Sequence, residues 1–215
     1  MLRGDTVKQE ERVQNVITIS RQFGAGGHTV AALLAKRLGE TWQIRDKDII
    51  QQLAESAQVR SRMVEALDER TQSWIQEMVR VVLKEQVLEP MGYRRHLAIV
   101  LLTIAQQGPQ IIVGRGANYI LKDALNVRLE ASMKFRSEVI MRRDGISQEK
   151  AIALAERVDR ERASFTRTMF NRDVNDASDY DIVLQTDTLG FAGTTTVIES
   201  AWTEMKKLPL VSGED

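Results

Sequence analysis

Residues 15–39 read NVITISRQFGAGGHTVAALLAKRLG. Asn15 to Ser20 is a short β-branched run, the pattern of a buried strand. Arg21 to His28 (RQFGAGGH) is a glycine cluster. In Thr29 to Leu38 the apolar residues 30, 33, 34 and 38 share one helical face, and Gly39 is placed to cap its end. The stretch therefore reads strand, glycine loop, helix. In α/β folds, ligands bind at the carboxyl ends of strands, in such loops. Gly24, Gly26 and Gly27 let successive backbone N–H groups curl inward ahead of a helix N-terminus, which suits phosphate oxygens. The chain holds no complete G-x-x-x-x-G-K-[ST] loop. The alternative is a tight strand-to-helix turn with no ligand, and the strand–helix context favours the phosphate reading.

Outward from this unit the pattern repeats. Thr41 to Ile44 is a second strand candidate, and a helix starting at Asp46 or Lys47 runs to about Ala57. Arg70 to Glu89 is amphipathic, with Ile75, Met78, Val79, Val82 and Leu83 on one side. Pro90 and Gly92 break it, and Tyr93 to Gln107 is an apolar helix ended by Gly108-Pro109. Gln110 to Val113 is a strand followed at once by Gly114-Arg115-Gly116, and Leu125 to Glu130 is another. Ser132 to Arg143 and Ser147 to about Arg162 read as helices around Asp144-Gly145. Tyr180 to Gln185 is the last strand, and Thr194 to Lys207 the last helix. Apolar strands separated by helices predict a three-layer α/β fold around a mainly parallel sheet. The expected organisation is a polar tail over 1–14 and one domain over 15–208.

Composition narrows the partners. The 215 residues hold 30 Lys+Arg against 30 Asp+Glu, two His and no Cys. That excludes a disulfide scaffold, a thiolate metal site and a broad cationic surface for nucleic acid. Two distant histidines give no metal-ligand spacing. The greasiest run, Leu97 to Ala105, has nine residues, whereas a spanning helix needs roughly 20. With a polar start lacking an apolar core, the chain reads as cytoplasmic, with no membrane partner. The balance is local cancellation: residues 134–172 carry ten Lys+Arg and six Asp+Glu, and residues 173–190 five Asp and no base.

ITISRQFGAGGHT resembles the opening of nucleoside monophosphate kinases, and more closely that of the diverged cytidylate kinase-like family. IIVGRGANYIL (111–121), VRLEASMKFRSEVIMRR (127–143), RVDRERASFTR (157–167) and YDIVLQTDTLG (180–190) resemble later family segments in the same order. The resemblance implies a P-loop kinase fold, a helical acceptor-binding region over about 46–107 and an arginine-bearing lid over about 144–172. It implies transfer of the γ-phosphoryl of ATP, with Mg²⁺, to a nucleoside monophosphate such as CMP or dCMP, or to a related small acceptor. Such chemistry is largely positioning plus neutralisation of spread negative charge.

By position, the resemblance assigns Gly24, Ala25, Gly26, Gly27 and His28 to the donor phosphates, with Thr29 beside them near Mg²⁺. Asp46, Arg115, Asp159 and Arg162 fall to the acceptor, and Arg157, Arg160 and Arg162 to the closing lid. Aligned on GAGKGT, Gly27 stands at the lysine position; a slipped alignment puts His28 there. Neither supplies a lysine, and neutral His28 is a poor substitute. Arg21, a permanent cation at the loop entrance, is the better candidate. Gly116 stands where cytidylate kinases proper carry aspartate. The alternative function is a non-catalytic nucleotide-binding protein with a degenerate loop. For Arg157, Arg160, Arg162 and Arg167 the plain alternative is a solvated face paired with Glu156, Asp159 and Glu161. Asp173, Asp176, Asp179 and Asp181 lack the glycine and terminal glutamate of a calcium loop and read as a turn. Oligomeric state is open.

Overall fold

The structure, a computed structural model, describes residues 15–84 and 91–207. Strand β1 (Val16–Arg21) lies between β3 (Gln110–Val113) and β4 (Leu125–Glu130). β2 (Gln43–Arg45) flanks β3, and β5 (Ile182–Gln185) flanks β4. The order is β2-β3-β1-β4-β5 and every pairing is parallel, with Ile17 in register between Ile111 and Leu125. A strand whose Val16, Ile17 and Ile19 are all fully buried has no face to offer water, and it takes the middle place.

Alternation along the strands separates two cores. Ile17, Ile19, Ile111, Val113, Val127 and Leu129 face α1 (Gly27–Leu38) and the last helix, α9 (Thr186–Met205). Trp42 and Trp202 meet edge to face on that side, 5.0 Å apart, as packing residues. Val16 and Ile112 face a helical layer instead: α2 (Lys47–Glu55), α4 (Glu69–Lys84), α5 (Met91–Ala105) and the short α6 (Ala117–Ile120). Helix α3 (Ala57–Glu65) lies between α2 and α4 in the chain. A hairpin of α7 (Met133–Asp144) and α8 (Gln148–Phe170) packs through Ile140, Ala151 and Ala155 and stands at the carboxyl edge of the sheet. The architecture is the three-layer α/β fold of P-loop kinases.

Several boundaries differ from those expected. The helix expected from Asp46 to Ala57 is interrupted at Ser56, whose hydroxyl accepts the Val59 N–H and starts α3. The end of α4 near Glu89, and Pro90, lie outside the described residues. Helix α8 continues past Arg162 to Phe170, because Phe170 buries and stacks on Tyr119 at 4.8 Å. Helix α9 begins at Thr186, well before Thr194, with a break at Gly190 (φ 66°). The aspartate-rich stretch is a turn: Asp173, Asp176 and Asp181 accept the N–H groups of Asn175, Ser178 and Asn126. Among the described residues, no group of three or more His, Cys, Asp or Glu is placed to hold a metal ion, and no helix is long and apolar enough to cross a membrane.

Candidate active site

The glycine loop is held from both sides. The Gln22 N–H continues the β1–β4 pairing to the Leu129 carbonyl, and the Gln22 side chain accepts the Ala131 N–H. The Ala25 N–H then closes a turn onto the Gln22 carbonyl. Gly24 and Gly26 take the left-handed conformation (φ 86° and 79°), and a side chain at Gly26 would run into the Phe191 ring. Helix α1 starts at Gly27, so its first-turn amides open at the loop, with His28 and Thr29 exposed there. Partial burial, then the Arg21 charge, pushes the His28 imidazole below its ordinary value, so it is neutral at physiological pH.

Two cavities open beside this loop. One, of about 320 Å³, lies between the ends of β1 and β3 and helix α8; Lys47, Arg115, Asn118, Tyr119 and Phe165 are among its lining residues. The other, of about 450 Å³, is walled by Arg21, Arg128, Arg136, Arg160 and Arg162 with Glu156 and Asp159. Arg21, Arg162 and Val174 line both, so two guanidinium groups stand on the shared wall.

Most of these arginines are tied to protein partners. Arg128, 3% exposed, donates to Glu130, Ser20 and Asn175 and lies over the Tyr180 ring. Arg136 donates to Asp159 at 2.5 Å and to the Phe23 carbonyl. Asp159 also accepts the Phe23 N–H at 2.7 Å, so this carboxylate fastens α8 to the glycine loop. Arg162 donates to the Arg21 carbonyl at 2.8 Å and, like Arg143, stacks on Phe23; burial lowers its affinity for a proton. Arg115 holds a positive φ (54°), donates to Gln51 and to the Lys47 carbonyl, and lies over Phe165. Asp46 caps α2 through the N–H groups of Asp48 and Ile49 and favours the charge on Arg21.

The structure thus brings Arg21, the glycine loop, Asp159 and Arg162 together, with Arg115 lining the smaller cavity and Arg160 the larger. Arg160 sits at a rim, 71% exposed beside Glu156. Arg157 lines neither cavity; it is 60% exposed and pairs with Glu161 at the rim of the smaller one, close to the solvated-face reading of a charge run. The sequence reading left out Arg128, Arg136, Tyr119 and Phe165. Arg128 carried a signal: a charged residue in the middle of a strand whose two neighbours, Val127 and Leu129, are apolar.

The comparisons with known proteins agree with this arrangement. The profile of the cytidylate kinase-like family matches residues 16–188, most of the chain, from β1 and the glycine loop through β5. The chain belongs to the cytidylate kinase-like family. The cytidylate kinase of Methanothrix thermoacetophila is 26% identical over 191 residues, 89% of this chain and 99% of that one. The cytidylate kinase of Pyrococcus horikoshii is 32% identical over 99 residues, 45% of this chain, and the chain spans about half of that relative (51%). Among solved structures, an uncharacterized protein from Eubacterium ventriosum superposes with a TM-score of 0.61 at 19% identity, covering 87% of this chain and 98% of that one, which shows a shared fold. Membership of the family supports a nucleotide kinase-like role.

Proposed function

We propose that the protein is a kinase that moves the γ-phosphoryl group of ATP to a nucleoside monophosphate, CMP or dCMP foremost. The observation that carries this reading is the pair of cavities that share buried Arg21 and half-buried Arg162 as a wall beside a glycine loop. The ring-lined cavity, with Tyr119, Phe165, Asn118, Lys47 and Arg115, suits the acceptor nucleotide. The arginine-walled cavity and the loop amides suit the donor phosphates. An acceptor phosphate oxygen forms the new bond to the γ-phosphorus as the bond to the β-phosphate oxygen breaks, and ADP leaves with that electron pair. Arg162, facing both sides, neutralises charge on the transferring group, while Asp159 keeps the lid helix against the loop.

The donor set fits Mg²⁺ carried on ATP. Thr29 offers an exposed hydroxyl at the first turn of α1, and phosphate oxygens with water supply most of the shell Mg²⁺ prefers. When bound, the ion would supply neutralisation of phosphate charge. The second reading, a nucleotide-binding protein without chemistry, rests on the missing loop lysine and on Gly116 in place of an acidic neighbour of Arg115. The test is a transfer assay with Mg-ATP and CMP, dCMP, UMP or AMP, beside thermal shift with each nucleotide. ADP and a nucleoside diphosphate formed together support the kinase. Stabilisation by ATP with no product from any acceptor supports the binder, and no response to nucleotide overturns both.

A further inference from the structure

Alone among the arginines lining the two cavities, Arg21 has no hydrogen-bonded or ion-paired partner for its guanidinium among the described residues. Yet the residue is only 8% exposed. Burying a cation without a partner is costly, and proteins tolerate it where a ligand completes the pair. The other unpaired alternative, release to solvent, is closed by the packing. The stem of Arg21 runs against Gly27: a Cβ there would stand 2.9 Å from Arg21 Cγ and 3.2 Å from Cδ. Its head lies over Gly114, where a side chain would overlap Nη1. Two bare glycines, one from the loop and one from the end of β3, thus form the channel that holds this side chain. Burial and the charge of nearby Arg162 lower its proton affinity to about 9, so it is still charged at neutral pH.

We infer that the phosphate-binding cation of a complete loop, ordinarily the lysine of the loop, has moved in this chain from position 27 to Arg21, and that Gly27 is bare because the Arg21 stem fills its side-chain space. This rests on the kinase reading above and names the residue that supplies its missing charge. The two positions exchange roles: one carries the charge, and the other makes room for it. At the shared wall of the two cavities the guanidinium reaches a group passing between them. Its planar fork can contact two phosphate oxygens at once, which a lysine ammonium cannot do with the same geometry.

The exchange is testable from both ends. Arg21→Met keeps most of the stem and removes the charge; calorimetric affinity for Mg-ATP is expected to fall at least ~10-fold and turnover ~100-fold, with the fold intact by circular dichroism. Gly27→Lys alone, pressed against Arg21, is expected to lower the melting temperature. The double variant Arg21→Gly/Gly27→Lys is expected to regain that melting temperature and to bind Mg-ATP more tightly than Arg21→Met. ATP binding by the wild type that Arg21→Met leaves within threefold overturns the inference and spares the kinase reading. So does a double variant no more stable than Gly27→Lys. Failure of the wild type to bind any nucleotide overturns both.

Discussion

The two cavities share a wall and little else. The smaller is lined by rings and amides: Tyr119, Phe165, Asn118 and the Arg115 guanidinium laid flat on Phe165. The larger is walled by five arginines, three of them under one-tenth exposed. On the proposed reading one surface discriminates by shape and stacking, the other by charge. A single helix, α8, serves both, because Arg162 looks into each while Phe165 reaches one and Asp159 the other. The lesson is that division of labour here follows helix faces rather than separate elements. Residues three or four apart on α8 point to one side, and Arg157, paired with Glu161 at the rim of the smaller cavity, turns to solvent.

Substitutions can break or sharpen that division. Arg162→Ala strikes both cavities, and transfer is expected to fall at least ~100-fold, measured as steady-state turnover. Asp159→Asn leaves Arg136 buried beside a weaker acceptor and frees the Phe23 N–H. The expected cost is about 2–3 kcal/mol, read as a melting temperature lower by about 4–10 °C for a chain of this size. Phe165→Ala confines the damage to the ring-lined side: the acceptor KM should rise roughly 10-fold while calorimetric affinity for ATP stays within twofold. Should ATP affinity fall as far, the two cavities are one site and the comparison fails.

Smaller still is an effect of alkali. Arg21 is held at about 9 against an ordinary 12.5. Below pH 9 the folded protein carries the whole cost of that buried charge. Between pH 9 and 12.5 the unfolded chain keeps the proton and the folded one releases it, so this group adds stability as pH rises. Arg21→Met should therefore raise the neutral-pH melting temperature of the ligand-free protein by about 2–6 °C, and the gain should shrink as pH rises above 9. Arg157→Ala closes the series: less than twofold in turnover and under ~0.5 kcal/mol in stability, as for an exposed pair.

Much of this was legible in the linear sequence. NVITIS and QIIV show as short runs rich in β-branched apolar residues, and LNVRLE as strict alternation of Leu125, Val127 and Leu129 with polar residues, which together specify the three central strands. The glycine loop and α1 followed from local chemistry, down to the cap at Gly39. The extent of α8 did not, since what extends it is Phe170 packing on Tyr119, a contact between residues distant in sequence. In the site, Arg162 and Asp159 were reached through the family resemblance, since their spacing alone fits a solvated helix face equally well. Arg136 was not, because its importance comes from meeting Asp159 across the α7–α8 hairpin. Arg157 carried the same local signal as Arg162 and faces away. Only the phase of the helix against the sheet separates the two.

The crossing of Arg21 and Gly27 also bears on how such a loop can change over generations. A lysine arriving at 27 meets the root of an arginine that cannot step aside, and an arginine lost from 21 leaves a gap with no charge behind it. On the proposed exchange each single step is worse than either end, so the two positions are expected to change together. A lineage that has settled on one arrangement is fenced off from the other unless both positions change together.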